Sequence, residues 1–309
     1  MAERVLVTGA GGFLGRELYA RLRESKDVMG VDLSNVEAIP GARWIKVAGG
    51  TELARAISDT APSIVLHAAF RNRKPAEWTD EKYVNEALAD NNAVVDAAKS
   101  VGAKLLLVSS SAVYGNANGA QVIDESTPTQ PVSVYGRAKK AVEDAAQKSA
   151  ARGLQLCVAR LFNLIGPREQ PGMMLSDWVR QAAAVRNRVA QSVVVRHRRT
   201  ARDFVDVRDA ARALVMLTDQ FQEGEVFNVA SGTAVSLMDV SSELERLAGE
   251  KLPFIETARE IDPNDVLSQR GSSAKLRAAT GWEPAISWRT SLADLWSTMI
   301  GAPSATADC

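Results

Sequence analysis

Along the chain, short apolar runs alternate with longer segments in which apolar residues recur every three to four positions. "RVLVTG" (4–9) is apolar, β-branched and closed by glycine, the pattern of a buried strand. "FLGRELYARLRES" (13–25) follows, with Phe13, Leu14, Leu18 and Leu22 on one helical stripe. "VMGVD" (28–32), "RWIKVA" (43–48), "SIVLHAA" (63–69), "KLLLVSSS" (104–111) and "LQLCVARLF" (154–162) are further strand candidates with helical patterns between them. The strongest helix pattern is "DEKYVNEALADNNAVVDAAKSVG", closing at Gly102 as a C-cap. Such alternation predicts an α/β fold, a Rossmann-type doubly wound parallel sheet covered on both faces.

After about residue 163 the rhythm loosens. Gly166-Pro167, Pro171-Gly172 and the basic "RHRRTAR" (196–202) interrupt it, and helices such as 236–248 come at wider spacing. The pattern divides the chain into residues 1–163, the parallel-sheet domain, and 164–300, a smaller, mostly helical region packed on the sheet, with some chain returning to the core. The polar "GAPSATADC" (301–309) reads as a disordered tail.

Composition narrows the class. The 309 residues hold 37 Lys plus Arg against 37 Asp plus Glu, so no global field favours nucleic acid or an anionic membrane. Two cysteines, Cys157 in an apolar run and Cys309 at the end, make a disulfide framework implausible and fit a reducing, cytoplasmic setting. No apolar run approaches the roughly 18 residues of a membrane span, and the N-terminus does not read as a signal peptide. Two histidines cannot build a metal cluster, so no metal is expected.

The chemistry starts at "TGAGGFLG", between the first strand and the first helix. Gly9, Gly12 and Gly15 permit a tight turn and close backbone approach, and the helix N-terminus offers unpaired N–H groups and partial positive charge to a pyrophosphate. Asp32 ends the second strand, where a carboxylate hydrogen-bonds both adenosine ribose hydroxyls and repels a 2′-phosphate. Leu33-Ser34-Asn35-Val36 offer no arginine to such a phosphate. NAD is therefore expected as cofactor rather than NADP.

"VYG" occurs twice, around Tyr114 and Tyr135. Only Tyr135 is followed by a lysine four residues on, within "YGRAK" at the start of a helical stretch, so Tyr135 and Lys139 share a face. The ammonium favours phenolate over phenol, which suits Tyr135 to general acid/base work on an alcohol or sugar hydroxyl. Ser109, Ser110 and Ser111 end a predicted buried strand, where parallel sheets present ligand groups.

With these features in hand, "TGAGGFLG", "VLHAA", "SSSAVYG", "YGRAK", "RLFNLIGPR", "RDFVDVRDAARA", "FNVASG" and "ATGWEP" together resemble the extended short-chain dehydrogenase/reductase family of nucleotide-sugar enzymes. The resemblance covers nearly the whole chain. It implies Ser110, Tyr135 and Lys139 as the catalytic set, with Tyr114 structural. Tyr135 and Lys139 would also hold cofactor, as would the backbone of Phe13 and Leu14 and the passing Ala68 and Ala69. Ser111, Asn163 and Arg202 would face the nucleotide sugar, and 164–300 would bind it. Relatives pair the helices near 80–101 and 136–152, alanine-rich here, into a homodimer.

Departures sharpen the expectation. "WIKVAGGTEL" lacks the Asp that contacts adenine in many relatives. Ser111-Ala112 stands where dehydratases carry Asp-Glu, which argues against 4,6-dehydration. "DPNDV" (262–266) replaces an arginine-led motif of the GDP-linked reductases, leaving Arg259 or Arg270 to substitute. Three readings stay open: a nucleotide-sugar 4-epimerase, a reductase of a 4-keto-6-deoxy sugar, and a non-catalytic nucleotide-binding sensor.

Overall fold

The computed structural model describes residues 3–33, 41–116, 122–257 and 266–301. A seven-stranded sheet forms its centre, built from β1 (Arg4–Thr8), β2 (Asp27–Asp32), β3 (Trp44–Lys46), β4 (Ile64–His67), β5 (Lys104–Ser110), β6 (Leu156–Leu161) and β10 (Val226–Val229). The spatial order is β3-β2-β1-β4-β5-β6-β10 with every pairing parallel. Strand order reverses between β1 and β4, and a doubly wound sheet opens its ligand crevice at the carboxyl ends beside that reversal.

Period-two alternation inside the strands divides the core into two layers. Val5, Val7, Ile64, Leu66, Leu106 and Cys157 point to one side, against helices α1 (Phe13–Leu22) and α6 (Val207–Asp219). Leu6, Val65, Leu105, Leu107, Leu156 and Val158 point to the other, against α2 (Gly50–Thr60), α3 (Asp80–Ser100) and α4 (Val134–Ala150). Because both faces are covered, β4 and β6 are buried at every position.

The two long helices start on side-chain caps that the sequence supplies. Thr79 accepts from Lys82 N–H at the head of α3, and Ser133 accepts from Gly136 N–H at 3.0 Å at the head of α4. The second cap fixes where Tyr135 and Lys139 lie.

Beyond β6 the chain forms a third apolar cluster. It contains α5 (Met174–Arg186), α7 (Leu237–Ala248) and α9 (Trp288–Gly301), with Trp178, Leu244 and Leu292 inside. Two small sheets accompany these helices: β11 (Ala234–Ser236), β9 (Ala201–Asp206) and β7 (Asn163–Ile165) in one, β12 (Phe254–Glu256) and β8 (Val193–Val195) in the other. The short helix α8 (Ala274–Thr280) contacts β10. The periodicity did not announce these three- to six-residue strands. β10 and α6 pass back to the first region, β10 on β6 and α6 on α1. Arg259, Asp262 and the tail lie outside the described residues.

Candidate active site

The glycine loop is shaped by two close approaches. Gly9 adopts φ +68°, and a Cβ there would meet Ala69 Cα and N at 2.8 Å. A Cβ on Gly15 would stand 2.0 Å from the Gly9 carbonyl oxygen. The turn therefore packs tightly on both β4's exit and the first turn of α1, which only glycine permits. Asp32 reaches over this loop and accepts from Gly11 N–H at 2.9 Å through Oδ2. Its carboxylate is thereby held at the edge of the loop, at the end of β2.

Ala68 and Ala69 are set by a buried relay. Ala69 N–H donates to Thr8 Oγ1 (3.1 Å), which lies 2.6 Å from His67 Nδ1, while His67 Nε2 lies 2.7 Å from Asn91 Oδ1. Asn91 Nδ2 donates to Ala87 O, so its Oδ1 faces the imidazole and His67 carries its proton on Nε2. Burial pushes the His67 pKa down to about 4, keeping it neutral. His67 is a structural strand residue that ties the β4 exit to the glycine loop.

At the end of β5 the three serines separate. Ser109 is buried and donates to Glu143 Oε2 at 2.9 Å. Ser110 caps the 3-10 turn Ser111–Tyr114, accepting from Ala112 N–H at 3.2 Å, and its side chain lies close enough to the Tyr135 phenol to pull that group's pKa down. Ser111 is buried, donates to Gln269 Oε1 (3.1 Å) and accepts from Gln269 Nε2 through its carbonyl (3.2 Å). Ser110 is thus the serine presented beside Tyr135.

Lys139 donates to Val108 O at 3.0 Å and sits 3.7 Å from the centre of the Phe70 ring. Phe70 also meets Tyr135 edge-on, with ring centroids 5.6 Å apart. One aromatic side chain therefore touches both members of the pair, and a ring face offers the ammonium a cation–π partner. The pattern of residues gave no hint of Phe70. Electrostatics differ from the expectation that Lys139 lowers the phenol's pKa. Burial pushes Tyr135 up to about 12, only partly offset by Ser110, and pushes Lys139 down to about 7, with Glu143 one turn on pulling it back up. Low-dielectric surroundings disfavour both charged forms more than the two groups assist each other.

Tyr114 is in a different place altogether. It is 1 % exposed, donates to Asn228 Oδ1 (2.8 Å) and accepts from Arg160 Nη1 (2.9 Å). Arg160 in turn forks onto Glu143, its Nε 3.2 Å from both carboxylate oxygens. Tyr114 belongs to this buried network behind the site, with burial raising its pKa against the pull of Arg160 and Asn228.

The positions expected to face a nucleotide sugar lie across the small three-stranded sheet and its neighbours. Asn163 opens β7, its Nδ2 3.5 Å from Asp203 O. Arg202 on β9 donates to Ala201 O (2.9 Å) and Val266 O (2.7 Å), and Arg270 donates to Gly232 O (2.9 Å). Asp203, which sequence reasoning passed over, is the staple here. It accepts from Ser231 N–H and O–H, Gly232 N–H and Gly271 N–H at 2.6–3.0 Å. Among the described residues no group of three or more His, Cys, Asp or Glu is placed to hold a metal ion, and no helix is long and apolar enough to cross a membrane.

A doubly wound sheet with a glycine loop after its first strand and Ser110, Tyr135 and Lys139 gathered at its carboxyl edge defines a short-chain dehydrogenase/reductase architecture. The NAD dependent epimerase/dehydratase family matches residues 5–230, and the chain belongs to it. It is accordingly an enzyme of the nucleotide-sugar epimerase, reductase and dehydratase group. Similar proteins include the GDP-6-deoxy-D-mannose reductase of Pseudomonas aeruginosa, 28% identical over 94% of this chain and 95% of the relative. The UDP-glucose 4-epimerase of Corynebacterium glutamicum is 27% identical over 95% of each. Among solved structures, MoeE5 in complex with UDP-glucuronic acid and NAD superposes with TM-score 0.84 at 28% identity, covering 96% of this chain and 99% of that one. RMD from Pseudomonas aeruginosa complexed with NADPH gives TM-score 0.80 at 28% identity, covering 96% of this chain and 98% of that one.

Proposed function

We propose that the protein is an NAD-dependent enzyme acting at C4 of a nucleotide-diphosphate sugar, as a 4-epimerase. The observation that carries this is the pairing of the Ser110–Tyr135–Lys139 cluster with Asp32 at the glycine loop. The cradle fits a dinucleotide: Gly11, Gly12 and Phe13 border a cavity of about 160 Å³ at the N-terminus of α1, suited to a pyrophosphate. Gly9, Gly12, Gly15 and the backbone of Phe13 and Leu14 would hold that end, Asp32 the adenosine ribose, and Ala68, Ala69, Tyr135 and Lys139 the nicotinamide side. When bound, NAD supplies the hydride acceptor and, after the sugar turns, the hydride donor.

The chain's own part is proton transfer and positioning. Tyr135 takes the C4 hydroxyl proton and later returns one, Ser110 hydrogen-bonds the same oxygen, and Lys139 holds the pair in register against Phe70. A phenol at about 12 is a poor base at neutral pH. Cationic charge close to Tyr135 is what brings phenolate within reach, so proton removal is coupled to the oxidised dinucleotide. Asn163, Arg202 and Arg270, with Arg259, are proposed to receive the nucleotide diphosphate.

Because epimerisation consumes no net cofactor, NAD suffices, and Asp32 favours it over NADP. Titration should show NAD(H) binding more tightly than NADP(H), and Asp32→Ala should narrow the gap by removing an acceptor and a repulsive charge. Equal binding by the unaltered protein would sink the cofactor assignment. Similarity to the GDP-6-deoxy-D-mannose reductase supports the second reading, a 4-keto-sugar reductase. The assembled cluster argues against a sensor without catalysis. Incubating the purified protein and NAD with UDP-glucose, then separating products by mass spectrometry and NMR, tests the choice. Appearance of the C4 epimer with no net NADH supports epimerisation; conversion only of a 4-keto-6-deoxy sugar at the expense of NAD(P)H favours the reductase.

The assembly proposed is a homodimer. α3 and α4 pack side by side and leave Val84, Leu88, Ala141 and Ala145 partly exposed, a small-residue surface that permits close approach of a second helix pair. Light scattering at micromolar concentration should give twice the 33.2 kDa chain mass; a monomer mass counts against it.

A further inference from the structure

The loop between β7 and α5 carries a carboxyl group that the proton-transfer scheme does not use. Glu169 is 4 % exposed, and its Oε2 has no hydrogen-bond partner. The N–H of Ser176, in the first turn of α5, favours the ionised form of this carboxyl, and the helix's own N-cap residue Met173 offers no side-chain bond. Glu169 and Arg168 border the cavity of about 160 Å³ from one side, and Gly11, Gly12, Phe13 and Arg16 border it from the other. A buried acid thus shares a small space with the helix N-terminus that best suits a diphosphate.

We propose that Glu169 makes dinucleotide affinity proton-dependent, hydrogen-bonding a diphosphate on the α1 N-terminus when protonated and repelling it when ionised. The inference rests on the cofactor reading given above. An unpaired buried oxygen costs stability unless something meets it, and a protonated carboxyl is a donor of the kind a phosphate oxygen accepts. Ionised, the same group sets like charge against the diphosphate across one small cavity, and like charges at such short range repel.

Neighbouring charges do not reverse this. From α1 the cavity receives Arg16, whose Nε donates to Gly11 O at 2.9 Å, and the opposing Glu17. The loop and α5 contribute Arg168 and Asp177, and Arg73, following β4, has its guanidinium against Gly172. Burial pushes the Glu169 carboxyl up to about 8; Ser176 N–H pulls it down and Asp177 pushes it further up. The protonated form therefore prevails at neutral pH. Binding prefers that form, so affinity is full below the raised pKa and is lost as pH rises through it.

The test is NADH titration by nicotinamide fluorescence on the full chain and on Glu169→Gln, from about pH 6.5 to about pH 9.5. The ratio of the two dissociation constants should grow about tenfold or more across the range, because glutamine mimics the protonated acid and does not ionise. Taking the ratio removes Lys139, which titrates equally in both proteins. Parallel profiles overturn the inference, including the case in which only the thermal midpoints diverge with pH, as a simple cap on α5 would give. Absence of NADH binding by both proteins at every pH overturns the cofactor reading with it.

Discussion

Tyr135→Phe should lose about 10²–10⁴-fold or more in turnover while still binding cofactor, since only the acid/base hydroxyl is removed. The ring's edge contact with Phe70 survives the change, so Lys139 keeps its aromatic partner. Tyr114→Phe is the control. Its hydroxyl is buried between Asn228 and Arg160, with both of its hydrogen bonds spent on them. Removing it leaves two buried partners short of a bond, at a cost of about 1–3 kcal/mol in stability, while turnover should stay within about tenfold. Both variants belong in one assay with melting curves beside it. An inactive Tyr114→Phe with a nearly normal Tyr135→Phe would overturn the assignment of the proton-transfer residue.

The pairing of Tyr135 with Lys139 is legible before any coordinates because its signal is local. Tyr135 and Lys139 are one helical turn apart, and Ser133 caps the same helix, so spacing alone puts them together. The strands of the central sheet were legible for a similar reason: burial on both faces demands uninterrupted apolar runs. What escaped notice depends on distant pairing. Ser111 meets Gln269 across 158 positions, and Asp203 collects donors from residues 231, 232 and 271. No periodicity encodes such contacts. Phe70 directly follows the apolar run "SIVLHAA" and carries no periodic signal of its own, yet its ring is what Lys139 rests on. Glu143 could have been found, because it stands four residues after Lys139 on the same helix as Tyr135. Its significance lies in Arg160, which belongs to β6 and shows itself only when the sheet is assembled.

Glu143→Ala is the second large effect expected. The carboxylate is 1 % exposed and is shared by Arg160 and Ser109, so truncation leaves a guanidinium, 6 % exposed as a residue, without its counter-charge. Breaking one side of a buried ion pair costs about 3–5 kcal/mol, more than the pair is worth relative to apolar replacements. For 309 residues, at about 1.5 °C per kcal/mol, that is a fall of roughly 5–8 °C in thermal midpoint. The sign of a second variant separates charge from packing. Replacing both partners, Glu143→Leu with Arg160→Met, removes the unpaired charge and should recover much of the loss, although Tyr114 then keeps only Asn228 as a partner. If Glu143→Ala melts within about 2 °C of the unaltered protein, water or rearrangement is compensating Arg160. The network would then not be what fixes α4, and with it Tyr135 and Lys139, against β5 and β6.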